Sequence, residues 1–243
     1  MIQRFKKCIA LIIALAAALA ALSAAVVASS AVSYSGKGTK SDPYLVQTFE
    51  QLQGMKDKLS AHYKLDNTID CSGKAFTPIG YLAEPFTGSF TCDTDADGTP
   101  KYAIKNLSVS IEGETGYTDY VANKSKWEAA LFGCTSGAKI SNIAVLNVSV
   151  SNTVIGNNQM NADWSKNPGQ DEMASAALIG IAKKTEVEHC MSSGNIDSKS
   201  NHCGGLIGLT YNSTVKYCYS TVTVSSTGLW CHGGLIDTAT EIR

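Results

Sequence analysis

Arginine is nearly missing from this chain. After Arg4 the next one is Arg243, the last of 243 residues. Neutralising a nucleic-acid backbone takes clustered lysine and arginine. No such cluster exists, so nucleic acid is excluded as a partner. Histidine is scarce too: His62, His189, His202 and His232 are the only four, and none stands in a His-Glu-x-x-His pattern. That removes the zinc-peptidase arrangement in which two histidines share one helix face. The repeating segments described below lack apolar residues at i, i+3, i+4 and i+7, which argues against helical repeats. They also lack the regular leucine ladder with a turn asparagine of leucine-rich repeats. Propeller blades need roughly 40 or more residues per unit, and the units here are shorter.

What is present begins with a targeting pattern. Arg4, Lys6 and Lys7 precede a run of apolar and small residues from Cys8 to Ala28, and Ser29-Ser30-Ala31 offers small residues where a signal peptidase cuts. Residues 1–31 therefore read as a signal peptide. A retained membrane anchor is the alternative, because the run is long enough to span a bilayer. Removing those three charges from the 20 basic residues leaves 17 against 21 acidic ones, a net charge near −4. Residues 32–47 read as a linker and first strand. Thr48 with Gln51 makes a capping-box pattern. It predicts a helix over 48–60, with Phe49, Leu52, Met55 and Leu59 on one face, placed to cap the end of a solenoid. Residues 61–243 are then left for the repeats.

The repeats organise the chain. Gly204-Gly205-Leu206-Ile207-Gly208 recurs as Gly233-Gly234-Leu235-Ile236-Asp237. Ala176-Ala177-Leu178-Ile179-Gly180 and Ala129-Ala130-Leu131-Phe132-Gly133 carry the same pattern upstream. Gly133, Gly180, Gly208 and Asp237 are spaced by 47, 28 and 29 residues, a period near 28 with one 19-residue insertion. Fixed self-similarity of this length marks a solenoid. The segments from Ile140 and from Val215 alternate apolar and polar residues and are rich in β-branched types, which predicts strands with one buried face. About 28 residues suit a β-solenoid coil of three short strands with glycine at tight bends. The polar stretches 112–127 and 152–173 read as loops on that scaffold, where binding residues tend to gather.

These motifs carry a resemblance. The Gly204–Gly208 block and its copies look like the GLUG motif of secreted and surface-displayed bacterial repeat proteins. The blocks Gly36-x-Gly38-Thr39-x-x-Asp42-Pro43-Tyr44-x-Val46, His62–Asp70, Thr77-Pro78-Ile79-Gly80 and Phe86-Thr87-Gly88-Ser89-Phe90 follow in the same order as in adhesin-like proteins of that kind. The resemblance implies a right-handed parallel β-helix, all-β, on or outside the surface of a bacterium. Some such proteins are peptidase-associated, but this chain has no motif for that activity. Pectate-lyase-like β-helices use bound calcium and a basic proton abstractor, typically arginine, and no coil here contains one.

Three groups remain for chemistry. Asp93, Asp95 and Asp97 before Gly98 resemble the first half of a calcium loop. The twelfth position holds Ile104 where a bidentate glutamate is needed, so an acidic turn is the alternative reading, and calcium stays open as a cofactor. Cys190 and Cys218 fall at equivalent coil positions and read as inward-stacked small hydrophobes. His202-Cys203 and Cys231-His232 read either as a cross-coil disulfide or as a zinc-like set.

Two functions from different classes follow. One is a non-enzymatic adhesin-like module or stalk that meets glycans or host surface proteins. The other is a polysaccharide-active β-helix enzyme. At the C-terminus Gly233-Gly234-Leu235-Ile236 opens a coil that the last residues do not complete. Open solenoid ends template further pairing, so further repeats of a longer chain, or self-association at that edge, are expected there.

Overall fold

A computed structural model describes residues 32–112, 127–154, 173–228 and 232–240. The signal-peptide reading, most of both expected binding loops, and Cys231 lie outside the described residues.

Strand β1 (Tyr44–Val46) leads into α1 (Phe49–Gly54). The helix starts where it does because Thr48 Oγ1 accepts the Gln51 N–H while Gln51 Oε1 accepts the Thr48 N–H, both at 3.2 Å. Leu52 and Met55 are fully buried, and the Phe49 ring meets Phe76 edge-on. Helical geometry is lost sooner than the expected Ser60. A 3-10 turn covers 55–57, and Lys58 leaves the helical region at φ −142°.

The coils follow. An irregular first turn holds β2 (His62–Leu65) and β3 (Ile69–Asp70). The next holds β4 (Ser89–Cys92), β5 (Ala103–Lys105), β6 (Ser108–Ile111) and β7 (Phe132–Ser136). Three regular coils come after it: β8 (Lys139–Ser141), β9 (Ala144–Asn152), β10 (Ala174–Ala176) and β11 (Ile179–Lys183); then β12 (Glu186–Glu188), β13 (Met191–Ser198), β14 (His202–Gly204) and β15 (Ile207–Tyr211); then β16 (Thr214–Lys216), β17 (Tyr219–Ser226), β18 (His232–Gly233) and β19 (Ile236–Thr240). Each regular coil thus has four strands where the period alone suggested three. The fourth is the short piece through the motif glycines, which pairs only with its copies above and below.

Every one of these ladders is parallel, and the four strand types build four sheets. Their orders are β1-β2-β4-β8-β12-β16, β3-β5-β9-β13-β17 with β6 also on β9, β7-β11-β15-β19, and β10-β14-β18. The protein is a parallel β-solenoid capped by a short helix. Corners between sheets need left-handed backbone. Gly137, Lys184 and Asn212 supply it at one corner (φ 65°, 49° and 49°), and Asn142, His189 and Tyr217 at the next (φ 58°, 51° and 55°). Such values are uncommon outside glycine and asparagine, so Lys184, His189 and Tyr217 are held there by the ladders on both sides.

The core runs up the middle of the stack. Leu131, Leu178 and Leu206 are fully buried in one column. The column is tied by N–H donation from Phe132 to the Leu178 carbonyl, from Leu178 to that of Leu206, and from Leu206 to that of Leu235, at 2.9–3.1 Å. Aromatic rings fill the irregular turns: Phe132 lies 4.9 Å from Phe86 and 5.9 Å from Phe90, and Tyr63 lies 6.2 Å from Phe86.

Candidate binding groove

The sheet of β2, β4, β8, β12 and β16 presents two outward columns, because side chains alternate along each strand. Tyr63, Phe90, Ile140, Val187 and Val215 point inward. His62, Ser89, Lys139, Glu186 and Thr214 stand in register outside them on one side; Lys64, Thr91, Ser141, Glu188 and Lys216 do so on the other. The first column is polar along its whole length. His62 Nδ1 lies 2.8 Å from Ser89 Oγ, and Lys139 Nζ lies 3.1 Å from Glu186 and 4.0 Å from Glu188. The Glu186 carboxylate holds the Lys139 ammonium pKa above its usual value.

This column floors a groove of about 710 Å³ that runs across the coils from Lys40 and His62 to Asn212 and Thr214. Lys40, Lys139 and Lys184 line it, against Glu186 as the one lining carboxylate among the described residues. No sequence signal marks the groove, since its residues come from five separate strands and corners. A second cavity of about 360 Å³ lies beside the cap, lined by Lys56, Asp57, Tyr81, Glu84 and Glu128. Glu128 is almost fully buried. A methyl group added at Gly180 would lie 3.0 Å from the Glu128 Cβ, and one at Gly133 would lie 3.5 Å from it. The closer contacts there are with backbone: the Gly80 carbonyl oxygen at 2.5 Å from a methyl on Gly133, and the Gly133 carbonyl oxygen at 2.7 Å from one on Gly180. These motif glycines therefore admit close stacking of the coils beside Glu128.

The motif residues themselves are structural. The pairing of β7, β11, β15 and β19 puts Gly133, Gly180, Gly208 and Asp237 in one column. Asp237 reads in sequence as the place where the repeat fails, yet β19 continues the ladder through it. Its carboxylate reaches His202 Nδ1 at 2.7 Å, so the aspartate serves the coil below. Gly204 and Gly233 pair across β14 and β18, and Gly205 donates its N–H to the Gly233 carbonyl at 3.1 Å.

The acidic turn is a hairpin end. Asp93 pairs with Lys64 at 2.8 Å, while Asp97 accepts the N–H and hydroxyl of Thr99 at 3.0 and 2.7 Å. The Thr99 hydroxyl holds the Asp97 carboxyl below its usual range. Among the described residues no three histidine, cysteine or acidic side chains converge to hold a metal ion. Two of the three aspartates are already engaged, and Thr94 and Pro100 close the turn by an antiparallel bridge. Calorimetry with calcium should accordingly give no micromolar binding, and Asp95→Ala should leave the isotherm unchanged. A tight isotherm lost in that variant would restore the calcium loop.

Of the zinc-like set, Cys231 lies outside the described residues, and His202 and Cys203 take other partners. Cys203 pairs in register with His232, but its thiol is free, buried and directed at Ser200 Oγ (3.4 Å) and Ser226 Oγ (3.5 Å). His202 faces Asp237 instead. Around Cys203 lies a hydroxyl cluster that the sequence does not disclose, in which Ser175, Ser198 and Ser200 are mutually within 2.6–2.9 Å. An amide ladder also escapes sequence reading: Asn147 donates to Asn106, and Asn106 to Asp70. Ser72 first and Asn106 second pull the Asp70 carboxyl down to about 2.

Fold and column together define a parallel β-solenoid built on glycine-marked coils. A family model described as the GLUG motif matches residues 200–225, the span from Ser200 through most of β17. The chain thus contains a GLUG motif in its repeat region. Halomucin of Haloquadratum walsbyi (strain DSM 16790 / HBSQ001) is 29% identical over 151 residues, which covers 53% of this chain and 2% of halomucin. The chain therefore spans a very small part of that relative. Among solved structures, one described as "a putative immunoglobulin A1 protease from Bacteroides ovatus" is similar at 19% identity and a TM-score of 0.48. The likeness covers 85% of this chain and 66% of that one.

Proposed function

We propose that this chain is a non-enzymatic, adhesin-like module of the cell surface or exterior, and that its groove receives an acidic glycan. The carrying observation is the lining of that groove: three lysines against a single carboxylate, on a chain whose charge without residues 1–31 is negative. A cleft of one sign focuses field toward ligands of the other. A groove that crosses successive coils also suits an extended polymer, with each coil offering a polar side chain along its length. The GLUG motif, the export pattern at the N-terminus and the similarity to halomucin support a place outside the cell.

Calorimetry of the folded chain against uronate-containing and matched neutral oligosaccharides tests this. The acidic chains are expected to bind, more weakly as salt rises. Lys139→Ala and Lys40→Ala are each expected to weaken binding by roughly three- to fivefold, the size of one exposed ion pair. Equal affinity for neutral sugars, or no binding by folded protein, would overturn the reading. Progressive shortening of the oligosaccharide would turn it to the polysaccharide-cleaving alternative.

A further inference from the structure

Cys190 and Cys218 occupy the same position in adjacent coils, between the Val187–Val215 and Met191–Tyr219 register pairs. Backbone bonds clamp them on both sides: His189 donates its N–H to the Lys216 carbonyl, and Tyr219 to that of Cys190, each at 3.1 Å. The residue before each cysteine is left-handed, and the two rings there, His189 and Tyr217, stack at 4.8 Å. Both sulfurs are thereby turned into the same corner. Cys190 donates its N–H to Cys218 Sγ at 3.4 Å.

The two thiols are not equivalent. Cys190 is buried, which pushes its pKa well up; Cys218 is half-buried, and the hydrogen bond from Cys190 lowers its pKa. Stacked rungs of a parallel ladder lie roughly 4.8 Å apart, within the Cα separation that a disulfide spans. An accessible thiol with a lowered pKa beside a buried partner is the arrangement of an attacking and a resolving cysteine.

We propose that Cys190 and Cys218 are an oxidation site that closes to a cross-coil disulfide by exchange with a small-molecule disulfide. The Cys218 thiolate attacks one sulfur of the oxidant, forming a mixed disulfide and releasing one thiolate. Cys190 then gives up its proton and attacks Cys218 Sγ, forming the Cys190–Cys218 bond and expelling the second thiol. Two protein thiols are oxidised and one small disulfide is reduced to two thiols. The product ties β12–β13 to β16–β17, the strands at the edges of their sheets, and it forms in the oxidising surroundings that an exported protein meets. The proposal is independent of what the groove binds.

The test uses the whole chain, reduced and then treated with oxidised glutathione, followed by peptide mass mapping and thermal unfolding. The expected result is a Cys190–Cys218 cross-linked peptide, reversed by dithiothreitol, with a midpoint raised by roughly 5 °C. Cys190→Ser should trap the glutathione adduct on Cys218. Cys218→Ser should slow adduct formation at Cys190 at least ~10-fold relative to that trapped reaction, because the buried thiol is inaccessible. The proposal is overturned if the folded, unaltered protein stops at a glutathione adduct on Cys218. It is equally overturned if Cys218 pairs with another cysteine, or stays unmodified while circular dichroism shows native structure.

Discussion

Gly205→Ala is expected to lower the unfolding free energy by about 3 kcal/mol, while Gly234→Ala, one coil on at the same motif position, changes it by less than about 0.5 kcal/mol. The contrast is steric. A methyl group on Gly205 would lie 2.0 Å from the Gly234 carbonyl oxygen and 2.4 Å from Ser220 Oγ, whereas one on Gly234 would meet nothing within 4 Å. The first clash is with backbone, so it is relieved only by moving the coils apart. Separation would stretch the Gly205 to Gly233 hydrogen bond and the bonds from Leu206 and Ile207 to Leu235. The second clash strikes a polar cluster, since Ser192 Oγ lies 3.0 Å from both the Gly205 carbonyl and Ser220 Oγ. Urea unfolding of the two variants side by side checks the difference. Amide exchange should show the loss of protection concentrated in β16–β19, because a solenoid comes apart between neighbours. Equal stabilities would mean that the close approach at Gly205 does not limit the stack.

Phe132→Ala is expected to cost about 3–5 kcal/mol, the range for removing a fully buried aromatic side chain. Its ring is the hinge between two kinds of core. On one side it meets Phe86 and Phe90, which belong to the irregular turns near the cap. On the other its backbone opens the regular leucine column, donating to the Leu178 carbonyl and pairing with Ile179. The cavity has no flexible neighbour to fill it, since Phe86, Phe90 and Leu131 are themselves fully buried. The measurable consequence reaches beyond the midpoint shift: the cap and the regular coils should lose their cooperativity, giving a broader or two-step transition. A single sharp transition with less than about 1 kcal/mol lost would show that the aromatic cluster does not couple them.

The fold was legible because a solenoid writes its architecture locally. Gly133, Gly180 and Gly208 recur at the coil period, and each coil packs only on its neighbours, so sequence spacing translates directly into stacking. The capping box at Thr48 and Gln51 was legible for a similar reason, as its partners are three residues apart. The fourth strand of each coil was hidden, because β10, β14 and β18 are two or three residues long and too short to display alternation. Asp237 looked like a broken motif until His202, 35 residues away in sequence, came beside it.

Sequence alone determined that the chain is a β-solenoid of about 28 residues per coil, that Cys190 and Cys218 are equivalent, and that it carries neither a basic cluster nor a helix-borne zinc motif. Those conclusions rest on periodicity and composition, which need no coordinates. Only the tertiary structure decided where charge and thiols meet. The groove gathers Lys40, Lys139 and Lys184 from a loop and two coils, and the Cys190 N–H meets Cys218 Sγ in the neighbouring coil. The physical reason is that the repeat sets which residues share a column. The left-handed corners and insertions, whose lengths the period does not constrain, set which columns face one another.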